Sequence, residues 1–98
     1  MDEARKVLVK AVVYSVEKAN PTLKNLLELH LKSTTGQGFE LAYNNPTLFK
    51  ESVAKLFGEY SSRLLEMIII GYFRENLGMK ADFSTLEDLV EYLKTVYG

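Results

Sequence analysis

Four acids gather toward the C-terminal end of this 98-residue sequence: Asp82, Glu87, Asp88 and Glu91. On a helix, Glu87 and Glu91 stand four positions apart and Asp88 and Glu91 three. Neighbours at those spacings repel by about 0.2–0.5 kcal/mol per pair. A bound hard cation would relieve that repulsion, and all-oxygen ligation suits Ca²⁺ or Mg²⁺. The four residues are therefore the candidate metal ligands. They lack EF-hand spacing, and acids in a first helical turn are also what the helix dipole favours, so a plain structural cap is the default reading.

Other chemistry-bearing residues are sparse. The sequence holds one histidine, His30, and no cysteine. This leaves no thiol chemistry, no disulfide and no thiolate or multi-histidine zinc site. His30 lies between Leu29 and Leu31 with no serine nucleophile motif around it, which fits a partly buried structural side chain better than a general base. The stretch "TTGQGF" contains Gly36 and Gly38 but lacks the Lys-Ser/Thr and the strand context of a phosphate loop. Its glycines are expected to shape a turn. Tyr14, Tyr43 and Tyr60 are the tyrosines whose hydroxyls are expected to reach water, as suits an interface. No catalytic constellation and no cofactor motif results.

The elements that must position these groups read as helices. The segment 2–18 carries Val7, Leu8, Val9, Val12, Val13 and Val16, with Lys6 and Lys10 on a narrow polar strip. A helix so apolar around its circumference is buried on several sides, by its own chain or by a second copy. A buried strand over 7–13 is the rival reading. Asn-Pro-Thr-Leu occurs twice, at 20–23 and 45–48. Asparagine caps a helix and proline suits its first position, so the recurrence marks two helix starts rather than a duplicated module. Between them, Ser33 to Gly38 reads as a loop, and Phe39, Leu41 and Tyr43 as an extended or single-turn segment pinned to the core. A fourth helix spans 59–77. Its apolar face is assigned to Tyr60, Leu64, Met67, Ile68, Gly71 and Tyr72, with Glu59, Arg63, Glu66 and Arg74 outside. The tetrapeptide Ser84-Thr85-Leu86-Glu87 reads as a capping box, preceded by Phe83 as a hydrophobic staple.

Composition bounds the rest. Length allows one domain over residues 1–98, and apolar and charged fractions of 47% and 26% are ordinary for a folded protein. A net charge of −1 speaks against nucleic acid. The longest apolar run, Met67 to Phe73 interrupted by Gly71, is far short of the roughly 20 residues of a membrane span. The N-terminal Asp2 and Glu3 do not suit a secretory signal, so a cytoplasmic location is expected.

"LFGEYSSRLLEMIIIGYF" at 56–73 and "DLVEYLKTVYG" at 88–98 resemble the small helical modules of the archaeal signalling output-domain families. There a Phe-Gly-Glu junction and a terminal aromatic-Gly punctuate the last two helices. That resemblance implies a short, stand-alone archaeal module that acts by binding another protein, with no catalytic residues to carry over. The helix count and length are also similar to the saposin-like architecture, whose members bind lipid around an apolar interior.

The expectation is thus an all-α, compact bundle of about five amphipathic helices, saposin-like or a similar orthogonal bundle. It is a non-enzymatic interaction module with a protein partner or a homodimer, self-associating through excess apolar surface on the first helix. Saposin-like lipid or apolar-ligand binding at a membrane surface is one alternative. Ca²⁺ binding through Asp82, Glu87, Asp88 and Glu91 is the other.

Overall fold

Asparagine and proline start two of the helices as their chemistry requires. In the computed structural model, which describes residues 3–76, 78 and 83–97, α1 (Glu3–Ala19) is followed directly by α2 (Pro21–Thr35). The side chain of Asn20 accepts from the Thr22 N–H at 3.0 Å. Asn45 accepts from the Leu48 N–H at 3.1 Å and opens α4 (Pro46–Phe57) in the same way. In each case proline takes a position whose N–H has no helical acceptor.

Ser33, Thr34 and Thr35 correct the sequence reading, because they belong to the last turn of α2 and not to a loop. Their hydroxyls donate back to the carbonyls of His30 and Leu31 at 2.7–3.1 Å, which lets hydroxyl residues stay in a helix. The helix stops at Gly36, whose φ of 78° places it in the left-handed region, and its N–H donates to the Lys32 carbonyl. The next segment closes into the single turn α3 (Leu41–Asn44), with Phe39, Leu41, Ala42 and Tyr43 all buried. Pinning to the core was the sequence expectation. Tyr43 is buried, with Lys94 Nζ 5.5 Å over its ring.

Helices α5 (Glu59–Asn76) and α6 (Leu86–Tyr97) complete the bundle, and no strand occurs among the described residues. The helix α1 packs against α2, α3, α5 and α6, burying Ala4, Leu8, Ala11, Val12 and Val16. Val7, Val9 and Val13 stay partly buried and Tyr14 is 44% exposed. The strand alternative for 7–13 falls away.

The largest departure from the sequence reading is the orientation of α5. The buried residues are Ser62, Glu66, Ile69, Ile70 and Phe73, whereas Tyr60, Leu64 and Met67 face solvent. With 100° per residue, the buried set lies on the side opposite the stripe first assigned to the core. Ile68 is only partly buried, and Ile69 takes the core position. Removing the Ile69 side chain to alanine is therefore expected to cost about 2–5 kcal/mol. Ile68→Ala should cost clearly less, and urea unfolding of the two variants measures the difference.

Candidate interaction surface

Glu66 explains why α5 is turned this way. Its side chain is only 3% exposed, a position glutamate occupies only when paired. One carboxylate oxygen, Oε2, accepts from Lys50 Nζ at 2.9 Å and from the Leu86 N–H at 2.7 Å. The other, Oε1, lies 3.6 Å from Arg63. Leu86 is the first residue of α6, so Glu66 captures an N–H that the helix itself cannot satisfy and places negative charge at the positive end of the dipole. Lys50, on α4, also donates to Glu87 Oε1 at 2.6 Å, and Thr47 donates to Glu87 Oε2 at 2.7 Å. The Ser62 hydroxyl donates to the Lys50 carbonyl at 2.8 Å. One ammonium thus joins α4, α5 and α6.

The capping box at 84–87 is shifted by one residue as a consequence. Thr85, not Ser84, caps α6, accepting from the Asp88 N–H at 3.1 Å, and Glu87 turns to Lys50 instead of reaching back to the chain. Phe83 is buried against Tyr92, with ring centroids 5.3 Å apart, and Arg74 donates to its carbonyl.

Three of the four proposed metal ligands fall among the described residues, and Asp82 lies outside them. Glu87 is committed to Lys50 and Thr47. Asp88 is exposed in the first turn of α6, and Glu91 points to Lys94 at 3.9 Å. Among the described residues, no group of three or more acids or histidines is placed to hold a metal ion. His30 is partly buried, its Nε2 3.2 Å from the Ser52 carbonyl.

The charged cleft over Lys50 is lined by Thr47, Glu51, Arg63, Glu66 and Glu87 and encloses about 390 Å³. Lys50 and Glu87 favour each other's charged forms. Burial by itself would lower the Lys50 pKa, but the hydrogen bonds and charges of Glu87 and Glu66 outweigh it and hold the lysine above its usual 10.5. Burial likewise would raise Glu87, and the hydrogen bonds from Lys50 and Thr47 reverse this and hold it below the usual 4.5. An ammonium so held is neither a nucleophile nor a base at neutral pH, and a carboxyl so held is no general acid.

The face of α5 turned away from this network is apolar. Tyr60, Leu64 and Met67 are 81, 46 and 57% exposed. Two grooves adjoin the stripe on its α1 side and share Ala19, Leu64 and Ile68. One, of about 260 Å³, runs between α1, α2, α4 and α5 and is lined by Leu23, Leu27, Val53, Phe57 and Leu65. The other, of about 530 Å³, lies between α1 and α5, with Tyr14, Gly71 and Tyr72 as walls and Lys18, Glu75 and Asn76 at its rim. Tyr14 and Tyr72 meet at 5.0 Å, and Lys18 Nζ sits 5.9 Å over the Tyr14 ring.

The comparisons with known proteins agree with the six-helix architecture. The sequence model of the family described as Nitrosopumilus output domain 5 matches residues 2–95. The chain belongs to that family. The crystal structure of PH0832 from Pyrococcus horikoshii OT3 superposes with a TM-score of 0.89 at 44% sequence identity, covering 97% of this chain and 98% of that one. No curated protein matches the chain. The expected all-α bundle and the resemblance to archaeal output-domain modules therefore both hold for this output-domain member, with six helices among the described residues in place of about five.

Two measurements probe the ion network that orients α5. Lys50→Met strands the Glu66 carboxylate, and the loss should be about 2 kcal/mol, below the 3–5 of a fully buried pair, because 25% of the Lys50 side chain stays exposed. Glu66→Gln, which keeps an acceptor for Leu86, should cost less. For pH, the depressed Glu87 pKa means that its contribution is fully present above 4.5 and is lost as pH falls through the lower folded value. The raised Lys50 pKa means the opposite limb: its contribution is present below 10.5 and is lost as pH rises through the higher folded value. Thermal melts across the acid range should show Glu87→Gln declining less steeply than the parent chain below pH 4.5.

Proposed function

We propose that this output-domain chain is a non-catalytic docking module that presents the apolar α1–α5 face to another protein. The observation that carries this reading is the exposed stripe of Tyr60, Leu64 and Met67, continuous through Leu64 with two apolar grooves. Leu64 and Met67 lose nothing by being covered, and burying apolar area contributes about 25 cal/mol per Å². The description of the family as an output domain supports the same role, as a module that hands a state on by contact. The polar cleft supports it too, since its charged groups serve one another as structural ties. In this reading the helices form a rigid scaffold, and Glu66 holds the docking helix in register. No helix of the described residues is long and apolar enough to cross a membrane.

A photo-activatable side chain at position 67, in the full chain expressed in an archaeal host, should give a discrete protein adduct. The same group at position 91, on the exposed side of α6, should not. Equal adducts from both positions, or none from position 67, would overturn the reading. Co-flotation with anionic phospholipid vesicles without protein adducts would assign the face to lipid instead. Leu64→Glu with Met67→Glu should abolish the adduct formed from a probe at position 60. Each change should alter folding stability by only about 0.5 kcal/mol, as at an exposed site.

A further inference from the structure

The groove between α1, α2, α4 and α5 reaches down to the hydrophobic core. Its floor is Val16, Leu27 and Val53, exposed by only 5, 1 and 1%, and its walls include the half-buried Leu23, Phe57 and Leu65. Close-packed interiors hold few voids larger than a water molecule, because side chains that face a void forfeit their dispersion contacts. A hollow of about 260 Å³ over core residues is far above that size.

Two helix junctions border it. The helix α1 passes to α2 through Asn20 alone, and α4 passes to α5 through Gly58 alone. Asn20 is fixed by its bond from the Thr22 N–H, and Gly58 by a φ of 99° that side-chain-bearing residues rarely adopt. Both corners are set by local backbone chemistry, and Ala19, Asn20, Phe57 and Ser61 beside them line the groove. Its walls are therefore in place before any occupant arrives, as in the preformed sites found between helices of bundles.

The lining names the class of occupant. Among the described residues no Lys, Arg, Asp, Glu or His lines this groove, so a charged molecule would lose its hydration there without a partner. The polar groups are Asn20 and Ser61. The Asn20 oxygen is committed to Thr22, which leaves its Nδ2 donors to offer, and the Ser61 hydroxyl has no hydrogen-bond partner among the described residues. We infer that the groove is a binding site for a small uncharged molecule with an apolar body and one acceptor oxygen, of the ketone, ester or alcohol class, that receives from Asn20 and Ser61. A 150 Å³ apolar cavity takes benzene, so this one has room for roughly ten carbons. The site adjoins the docking face through Leu64 but does not rest on the docking role.

Acetophenone and ethylbenzene share a carbon skeleton and differ in the acceptor oxygen. Methyl-resolved ¹³C NMR of the full chain, titrated with acetophenone to about 10 mM, should reach saturation, since a molecule of this size attains a Kd on the order of 1 mM. The largest shifts should fall on the Val16, Leu27 and Val53 methyls. Ethylbenzene should bind at the same methyls about fivefold more weakly, the worth of one ordinary hydrogen bond. Asn20→Asp keeps the cap on Thr22 and removes the amide donors, and Ser61→Ala removes the hydroxyl. Together they should bring acetophenone to the ethylbenzene value, with helical circular dichroism unchanged. Leu23→Trp fills the groove and should abolish saturation by both probes. Shifts that rise without saturating, or that centre on Tyr14 and Tyr72 of the neighbouring groove, would overturn the inference. Equal affinity for the two probes would overturn it as well, and so would saturation that survives Leu23→Trp. The adduct from position 67 reads the stripe and not this groove, so the docking role stands or falls separately.

Discussion

The structure depends on one buried carboxylate. Glu66 sits on α5, receives the Lys50 ammonium from α4, and accepts the first N–H of α6. Each of these groups has a desolvation cost that is offset only if the other two are present, so the triad behaves as a unit. Through Glu87 the same ammonium reaches α6 a second time. The chain link between α5 and α6 therefore does not have to hold their relative placement alone. A charge-assisted contact between three helices does so.

That tie has a consequence for the opposite side of α5. The helix carries apolar residues around most of its circumference: Ile69, Ile70 and Phe73 on one side, Leu64, Met67 and Tyr60 on the other. Hydrophobicity by itself allows either side to face the core. The pull of Glu66 toward Lys50 and Leu86 selects the first, and the second is left as an apolar stripe beside two grooves. The exposed apolar stripe and the buried ion network are in this sense two faces of one rotational choice. The same rotation sets Gly71 beside the aromatic groove formed with α1.

The inner helix α1 shows the contrasting case. Its valines and alanines raise the question of a second copy, yet four neighbouring helices pack on it and bury Ala4, Ala11, Val12 and Val16, leaving Val7, Val9 and Val13 partly buried. Surplus apolar surface is a property of the whole packing, because a residue is exposed only when no element reaches it. The charged cleft is a similar instance. Acids clustered near α6 look like cation ligands in one dimension, and in three dimensions Glu87 faces a lysine that lies 37 positions away in sequence.

What the sequence by itself determined is local. Asn20 and Asn45 with their prolines set two helix starts, Gly36 sets a stop, and the apolar spacing sets the all-α class, because caps, φ preferences and periodicity act within a few residues. The resemblance of 56–73 and 88–98 to output-domain modules was legible for the same reason, as short runs of residue types. What only the tertiary structure decided is which way α5 faces, where the cap of α6 falls, and which acid meets which cation. Those outcomes hang on Lys50, Glu66, Leu86 and Glu87, groups up to 37 positions apart, whose pairing energy exists only once three helices have brought them within hydrogen-bonding distance.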